Sequence, residues 1–294
     1  MKHNLRGTTI AIQGGRRSYS DLALDRMLAD PASEGGTAPC ERLYLESFAA
    51  AAGAVASGAA DQALLPIENM LAGSLNEVYR LIDAHALVIV AEDVLPIDHC
   101  LAAHPGTDPA AVRRVLSHPV ALQQCERWLG EHAGWTVESR SDTARAAEAV
   151  AAAGRGDTAA ICSAACAAEL GLVVIARGIA DSDDNSTRFV LVGRAPAASD
   201  HARPGRTSLM FTVVNRRGAL ARCLEVFARR DLNLSKLESR RRPGTAGDYL
   251  FYLDVDAWAD EPQLAAALPE VQAFTHAFRV LGSYARHDAA GSSG

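Results

Sequence analysis

The chain has 294 residues, about twice the size of a usual single domain, so two or three folding units are expected. Hydrophobic residues make up 49% and charged residues 22%, a globular balance that excludes disorder as the main state. The net charge of −6 carries no basic surplus of the kind a nucleic-acid binder shows, and it gives no reason to expect an anionic membrane as partner. The opening residues lead straight into a short strand and lack the apolar stretch of a signal peptide. No apolar run approaches the roughly 20 residues of a membrane span, so a soluble cytoplasmic protein is expected. Six cysteines include no C-x-x-C pair. Cys162 and Cys166 are spaced to share one helical face, but no second pair or nearby His completes a zinc site, so reduced thiols acting as small hydrophobes are expected.

Thr8–Gln13 reads as a buried strand and Gly14–Arg17 as a loop, after which Ser18 or Ser20 opens a helix carrying Leu22, Leu24, Met27 and Leu28. Leu43–Phe48 reads as a second strand and Asp61–Pro66 as a third that ends at its proline. Ser74 and Glu77 have capping-box spacing, and Leu75, Val78, Tyr79 and Ile82 recur at helical spacing. Leu87–Val90 is a β-branched apolar run. His118-Pro119 precedes a helix with Leu122, Cys125 and Leu129 on one face, and Ser141 or Asp142 caps an Ala-rich helix over about 143–153. Asp157–Cys162 is a short strand, and a helix follows it to Leu170. Alternation of strand and helix implies an α/β sheet with helices on both faces.

Ala195–Arg206, with Pro196, Pro204 and Gly205 among small polar residues, reads as a linker. Beyond it Leu209, Phe211 and Val213 alternate along a strand, and Leu220, Cys223, Leu224, Phe227 and Ala228 keep helical spacing. Leu232–Ser239 and Tyr249–Asp256 read as strands across a Gly-rich turn at 243–247. Glu261–Phe274 reads as a helix and Phe278–Tyr284 as a last strand. The order βαββαβ in about 80 residues is a ferredoxin-like α+β unit. The tail 289–294 reads as disordered.

The sharpest segment for chemistry runs from Gly178 to Phe189, where a crowd of polar residues ends in Thr187-Arg188-Phe189 ahead of the strand Val190–Val192. Composition alone reads it as an acidic surface turn, yet the chain returns to a sheet there, a place that holds side chains firmly over a cleft. This segment resembles the signature of prephenate dehydratase, with Asp and Asn a few residues before Thr-Arg-Phe. The resemblance extends along the chain: Leu65-Pro-Ile-Glu-Asn69 with Gly73-Ser74, Ser117-His-Pro119 with Ala121, Leu122, Gln124 and Cys125, Asp142-Thr143-Ala144, and the run Ala159–Leu172. The C-terminal unit is similar to an ACT regulatory domain through Gly218-Ala-Leu220, Leu232-Asn-Leu234, Glu238-Ser-Arg240 and Leu281-Gly-Ser-Tyr284. Any one block is weak, and the ordered set is specific.

The resemblance implies a two-lobed catalytic region like that of periplasmic binding proteins at 1–196, with lobe one at about 1–82 and 180–196 and lobe two at about 83–179. It also implies an ACT domain at 205–286, leaving 287–294 as the tail. It implies decarboxylating dehydration of prephenate to phenylpyruvate on the route to phenylalanine, with no metal or redox cofactor, feedback by phenylalanine, and a homodimer or homotetramer. Thr187 is implied as the group that protonates or hydrogen-bonds the departing hydroxyl; a threonine is a poor acid, so the role read here is a positioned donor, and the alternative is a turn hydroxyl.

Arg188 pairs with a substrate carboxylate or forms a structural ion pair with an Asp of 181–184. Phe189 reads as core packing ahead of substrate contact, and it is kept among the substrate-binding candidates. Glu68, Asn69 and Ser74 lie between a strand end and a helix start, where free N–H groups bind anions; Ser74 is either ligand or N-cap. Ser18 and Ser20 take the equivalent place after the first strand, and Ser163 is a cleft hydroxyl of lower weight. No proton-transfer role is assigned to His118. In the ACT-like part, Gly218, Ala219, Leu220, Asn233, Leu234, Glu238, Ser239 and Arg240 are the regulatory candidates, with Gly218 allowing close backbone approach and Asn233 hydrogen-bonding an amino-acid effector.

The chain departs from the family pattern at Arg17, where a Gly is usual, at Met70, where a Ser is usual, and at Arg241, where a Pro is usual. Arg16 and Arg17 either bind substrate carboxylate or decorate a solvated loop. Arg16, Arg17 and Met70 keep two other activities in view, arogenate dehydration and a decarboxylation that leaves the ring hydroxyl in place, and the implied likeness to solute-binding proteins and an ACT domain adds non-catalytic amino-acid sensing.

Overall fold

The computed structural model describes residues 7–29, 40–213, 216–241 and 249–287. The Gly-rich turn expected at 243–247 and the tail expected at 289–294 lie outside them. The described chain divides into two compact units, one of residues 4–81 and 93–189 and the other of 82–92 and 190–294.

The first unit holds two sheet-based lobes. In one, β1 (Thr9–Gln13), α1 (Tyr19–Ala29), β2 (Glu41–Leu45), α2 (Phe48–Ser57) and β3 (Gln62–Asn69) form a parallel sheet in the order β2-β1-β3. A two-residue strand β4 (Gly73–Ser74) folds back on β3, and α3 (Asn76–Ala84) follows. The central strand β1 is covered on both faces, so Ile10, Ala11 and Ile12 are a continuous apolar run with no exposure. β3 runs through Pro66, where an end was expected. Its ladder to β1 stops at Leu64, so the missing proline N–H removes no bond there. The stretch expected as one strand to Phe48 instead ends at Leu45. Ser47 accepts from the Ala50 amide and starts α2, an Ala-rich helix closed by Gly58 in the left-handed conformation. Helix α3 starts at Asn76, a residue later than the Ser74–Glu77 spacing requires, and Ser74 belongs to β4.

In the chain's second stretch, β5 (Val88–Pro96) leads into β6 (Cys100–Ala103), β7 (Arg114–Ser117), α4 (Pro119–Gln123), α5 (Glu126–Gly130), β8 (Thr136–Ser139), α6 (Thr143–Ala153), β9 (Thr158–Cys162), α7 (Ala164–Glu169) and β10 (Val173–Ala176). The second lobe's sheet has the order β10-β6-β9-β7-β8. Strand periodicity splits its core. Leu101, Ala103, Ala159 and Ile161 face α4 and α5, while Ala102, Ala160 and Cys162 face α6 and α7. Cys162 therefore ends a strand and does not share a helix with Cys166. All six thiols are free and five are buried. The chain then returns along β11 (Ser186–Gly193), where the Ser186 carbonyl accepts from the Met70 amide.

The second unit is β12 (Gly205–Val213), α8 (Ala219–Ala228), β13 (Leu234–Arg241), β14 (Tyr249–Val255), α9 (Pro262–Ala273) and β15 (Ala277–Ala285). Its sheet order β13-β14-β12-β15 with antiparallel neighbours is the ferredoxin-like arrangement. Leu209, Phe211, Phe227, Leu253, Leu264 and Val271 form its core. β15 also lies parallel to the start of β5 at Gly282 and Ile89. A Cβ on Gly282 would run into the Ile89 carbonyl oxygen, so only glycine fits. No helix among the described residues is long and apolar enough to cross a membrane.

Candidate active site

Asn69 closes β3 with its side chain turned inward, 7% exposed. Its Oδ1 accepts from the amides of Leu71 (3.1 Å) and Ala72 (2.8 Å). A backbone N–H only donates, so these two bonds fix which end of the Asn69 amide is oxygen, and every other polar group nearby is then determined. Asn69 Nδ2 donates to Thr187 Oγ1 (3.0 Å), Asn185 Oδ1 (2.9 Å) and the Ser186 carbonyl (3.1 Å), two protons serving three acceptors. Gln124, just past α4, donates from Nε2 to Asn69 Oδ1 (3.1 Å), and its Oε1 accepts from Asn185 Nδ2 (3.1 Å). His99 Nε2, 2.9 Å from the same Oε1, therefore carries a proton.

Burial lowers the His99 pKa, so the neutral ring leaves Nδ1 as an acceptor, and the one proton of the Tyr19 hydroxyl is shared between the Asp98 carbonyl (2.7 Å) and His99 Nδ1 (2.9 Å). Burial pushes the Tyr19 phenol up, so it keeps its proton. The consequence falls on Thr187, 8% exposed, at the start of β11. Its oxygen accepts from Asn69, which leaves its own proton to be donated elsewhere.

Thr187 lines a cavity of about 430 Å³. The cavity is lined by the starts of five helices: Ser18–Ser20 of α1, Glu46–Phe48 of α2, Ser74, Leu75 and Glu77 of α3, His118, Val120 and Ala121 of α4, and Ser141–Thr143 of α6. A helix N-terminus carries the positive end of the helix dipole, which favours anions. Asp142 caps α6 through the Arg145 amide, as its spacing predicted. Glu46, Glu77 and Asp142 bring three carboxylates to the lining, His99 and His118 bring two imidazoles, and the described lining residues include no Lys or Arg. Gly14 makes the β1–α1 turn tight enough for this. Its φ is +103°, and a Cβ would lie 3.1 Å from that of Ser18. Among the described residues no group of three or more His, Cys, Asp or Glu could hold a metal ion.

Of the residues singled out in the sequence, Thr187, Phe189, Asn69, Ser74, Ser18 and Ser20 line the cavity. Phe189 is also core, 2% exposed. Ser163, Arg188 and Glu68 are not part of the described lining. Ser163 caps α7 by accepting from the Cys166 amide (3.1 Å), and Arg188 lies 3.8 Å from Glu68, so its recorded partner is that carboxylate and not an Asp of 181–184. Arg16 and Arg17 neither line the cavity nor stand free. Both reach Glu169 at the end of α7 (3.3 and 3.6 Å), and Arg17 also pairs with Asp25 (2.7 Å). Arg17 has a φ of 59°, the left-handed conformation a glycine would adopt without strain.

Sequence reasoning assigned no role in the site to Tyr19, His99, Gln124, Asn185 or Glu46, and gave Glu77 only a capping-box place. The available signals were Gln124 inside the Ser117-His-Pro block and Asn185 two residues before Thr187.

In the ferredoxin-like unit, Gly218 stands before α8 with a φ of 75°, Ala219 and Leu220 begin the helix, and Leu234 opens β13 against the core. Asn233 donates to Asp256 (2.7 Å), which Ser235 also contacts (2.8 Å). Glu238 pairs with Lys236 (3.6 Å) and Arg240 (2.5 Å), and Ser239 stands opposite Phe251.

Fold and site together define an α/β small-molecule unit of two sheet lobes around a cavity lined by helix starts, followed in the chain by a ferredoxin-like unit. The family model for prephenate dehydratase matches residues 10–197. Arogenate dehydratase 1 of Petunia hybrida is 40% identical over 291 residues, covering 94% of this chain and 66% of its own length. The chain thus spans about two thirds of the length of that curated relative. A crystal structure of prephenate dehydratase from Arthrobacter aurescens in complex with L-Phe is 33% identical with a TM-score of 0.80, covering 95% of this chain and 90% of its own. A structure described as GqqA, a novel type of quorum quenching acylase, is 34% identical with a TM-score of 0.81, covering 96% and 98%. The chain belongs to the prephenate dehydratase family.

Proposed function

We propose that this chain catalyses the decarboxylating dehydration of prephenate to phenylpyruvate, regulated by phenylalanine. The observation that carries the reading is the bond from Asn69 Nδ2 to Thr187 Oγ1, which occupies one lone pair of the threonine oxygen at the cavity wall and leaves its proton available for donation. In the reaction the ring carboxylate leaves as CO2, its bonding pair completes the aromatic ring, and the C–O bond breaks to release the ring hydroxyl. That oxygen gains negative charge as it departs and leaves as water, so one proton is consumed. Thr187 stabilises the developing charge as a positioned hydrogen-bond donor, while the first-turn amides of α1, α2, α3 and α6 take the substrate carboxylates. Ser18, Ser20 and Ser74 supply further hydroxyls at those helix starts, and the phenyl face of Phe189 gives the ring an apolar wall.

The test is a prephenate assay on the purified protein with product analysis, repeated with added phenylalanine. Phenylpyruvate formation supports the reading, and intact prephenate, or a non-aromatic keto acid, contradicts it. A second reading, arogenate as substrate, is favoured by Glu46, Glu77 and Asp142 in a lining without Lys or Arg, since those carboxylates suit an ammonium group. The relative named for arogenate points the same way. Phenylalanine as product, with arogenate the faster substrate, would select it. The regulatory reading takes phenylalanine as effector, in line with the relative solved in complex with L-Phe, gives it Gly218 on the strength of the ACT-like sequence, and pairs ferredoxin-like units in a dimer or tetramer. A sedimentation mass that stays at one chain at all concentrations would refute the pairing.

A further inference from the structure

We propose that His118 contacts the substrate as a neutral imidazole, donating a hydrogen bond from Nε2 while its Nδ1 stays committed to the protein. The inference rests on the dehydratase reading of the site and adds a catalytic residue to it. His118 is the residue before α4, and its Nδ1 accepts from the Val120 amide at 3.2 Å. An amide only donates, so Nδ1 carries no proton and the neutral ring must hold it on Nε2. Putting a second proton on Nδ1 would break the cap and set two donors against each other.

The environment acts in the same direction. Burial lowers the His118 pKa, opposed by Asp142, and Glu46 and Glu77 are the other charged groups of the described lining. His118 lines the cavity, and no other described residue accepts from its Nε2. A lining with three carboxylates and no Lys or Arg leaves the recognition of substrate oxygens to neutral donors, and this ring is one whose proton position the backbone dictates. Being neutral, it polarises an oxygen without proton transfer.

Two substitutions separate the two ring nitrogens. His118→Asn keeps an acceptor where Nδ1 stood, and Asn is among the strongest N-caps, so the fold is retained while the Nε2 donor is lost. His118→Gln extends an amide N–H toward the Nε2 position and weakens the cap. Wild type, H118N and H118Q are assayed with prephenate and with arogenate, alongside thermal melts and nitrogen-detected NMR of the ring. The expected result is a kcat/KM for H118N lower by on the order of 100-fold at an unchanged melting temperature, with H118Q the more active of the two variants. The wild-type spectrum should show the Nε2–H tautomer, its resonance moving when phenylpyruvate is added. An H118N activity within threefold of wild type, an activity that follows the cap so that H118N exceeds H118Q, or an Nδ1–H tautomer would overturn the assignment. A wild type that turns over neither substrate refutes the dehydratase reading instead, and the two failures are thereby distinct.

Discussion

The amide of Asn69 is the point where a single atom exchange reverses the chemistry. In Asn69→Asp the oxygen that receives the Leu71, Ala72 and Gln124 donors remains, but the nitrogen becomes a second oxygen facing Asn185 Oδ1, the Ser186 carbonyl and Thr187 Oγ1, all within 3.1 Å. The bonds to Asn185 and the Ser186 carbonyl, about 1 kcal/mol each, are lost, and a buried carboxylate is set among acceptors, so a destabilisation of about 3–5 kcal/mol is expected at neutral pH. Thr187 must then turn its proton onto the new carboxylate, and the donor to substrate disappears. Removing such a donor costs on the order of 10²–10³ in kcat.

Protonating the introduced carboxyl group restores a donor, so its folded-state pKa rises above the unfolded value of about 3.9. The variant is accordingly most stable below the unfolded value and loses stability as pH rises through the raised one. The assay is product formation between pH 8 and 5, corrected for conversion without enzyme, with urea melts at the same pH values. The variant's kcat, relative to wild type, should climb as pH falls. Wild-type turnover by N69D at pH 8, or a ratio flat in pH, would refute the proton assignment.

Three further outcomes follow from the packing. Ser163→Ala should cost about 1 kcal/mol in a urea melt through the lost cap on α7, with kcat unchanged; a large kcat loss at unchanged KM would return Ser163 to the site. Glu169→Gln removes the partner of Arg16 and Arg17, whose side chains are 73% and 38% exposed, so stability should change by no more than about 1 kcal/mol, less in high salt. Gly282→Ala drives a methyl into the Ile89 carbonyl and should cost about 3 kcal/mol or more, seen as a lower urea midpoint; an unchanged midpoint would mean β15 and β5 part without cost.

The ferredoxin-like unit was legible because its strands alternate and its helices keep 3.6-residue spacing over long stretches. Helix α2 was not: the apolar run Leu43–Phe48 hides the break at Ser47, and an Ala-rich helix carries little periodic contrast. The four-residue strands β6, β7, β8 and β10 are too short to show a period, and three of the four residues of β8 are exposed. In the site, Thr187 and Asn69 stood out through their motifs, and the structure adds the bond between them. Tyr19 and His99 lie 80 positions apart, and the local sequence says nothing of their contact. Serine is ambiguous for a physical reason, since a helix start offers a hydroxyl both a cap and a ligand. Ser163 became a cap, whereas Ser18 caps the Asp21 amide and lines the cavity as well.

Donation by Thr187 to the departing oxygen is the central claim, and the most direct measurement is a single-turnover experiment with wild type and Thr187→Val on prephenate. Valine keeps the shape, and Asn69 keeps two of its three acceptors, so substrate should bind with a similar Kd while ring aromatisation slows at least about 100-fold. Aromatisation by T187V within threefold of the wild-type rate would contradict that role.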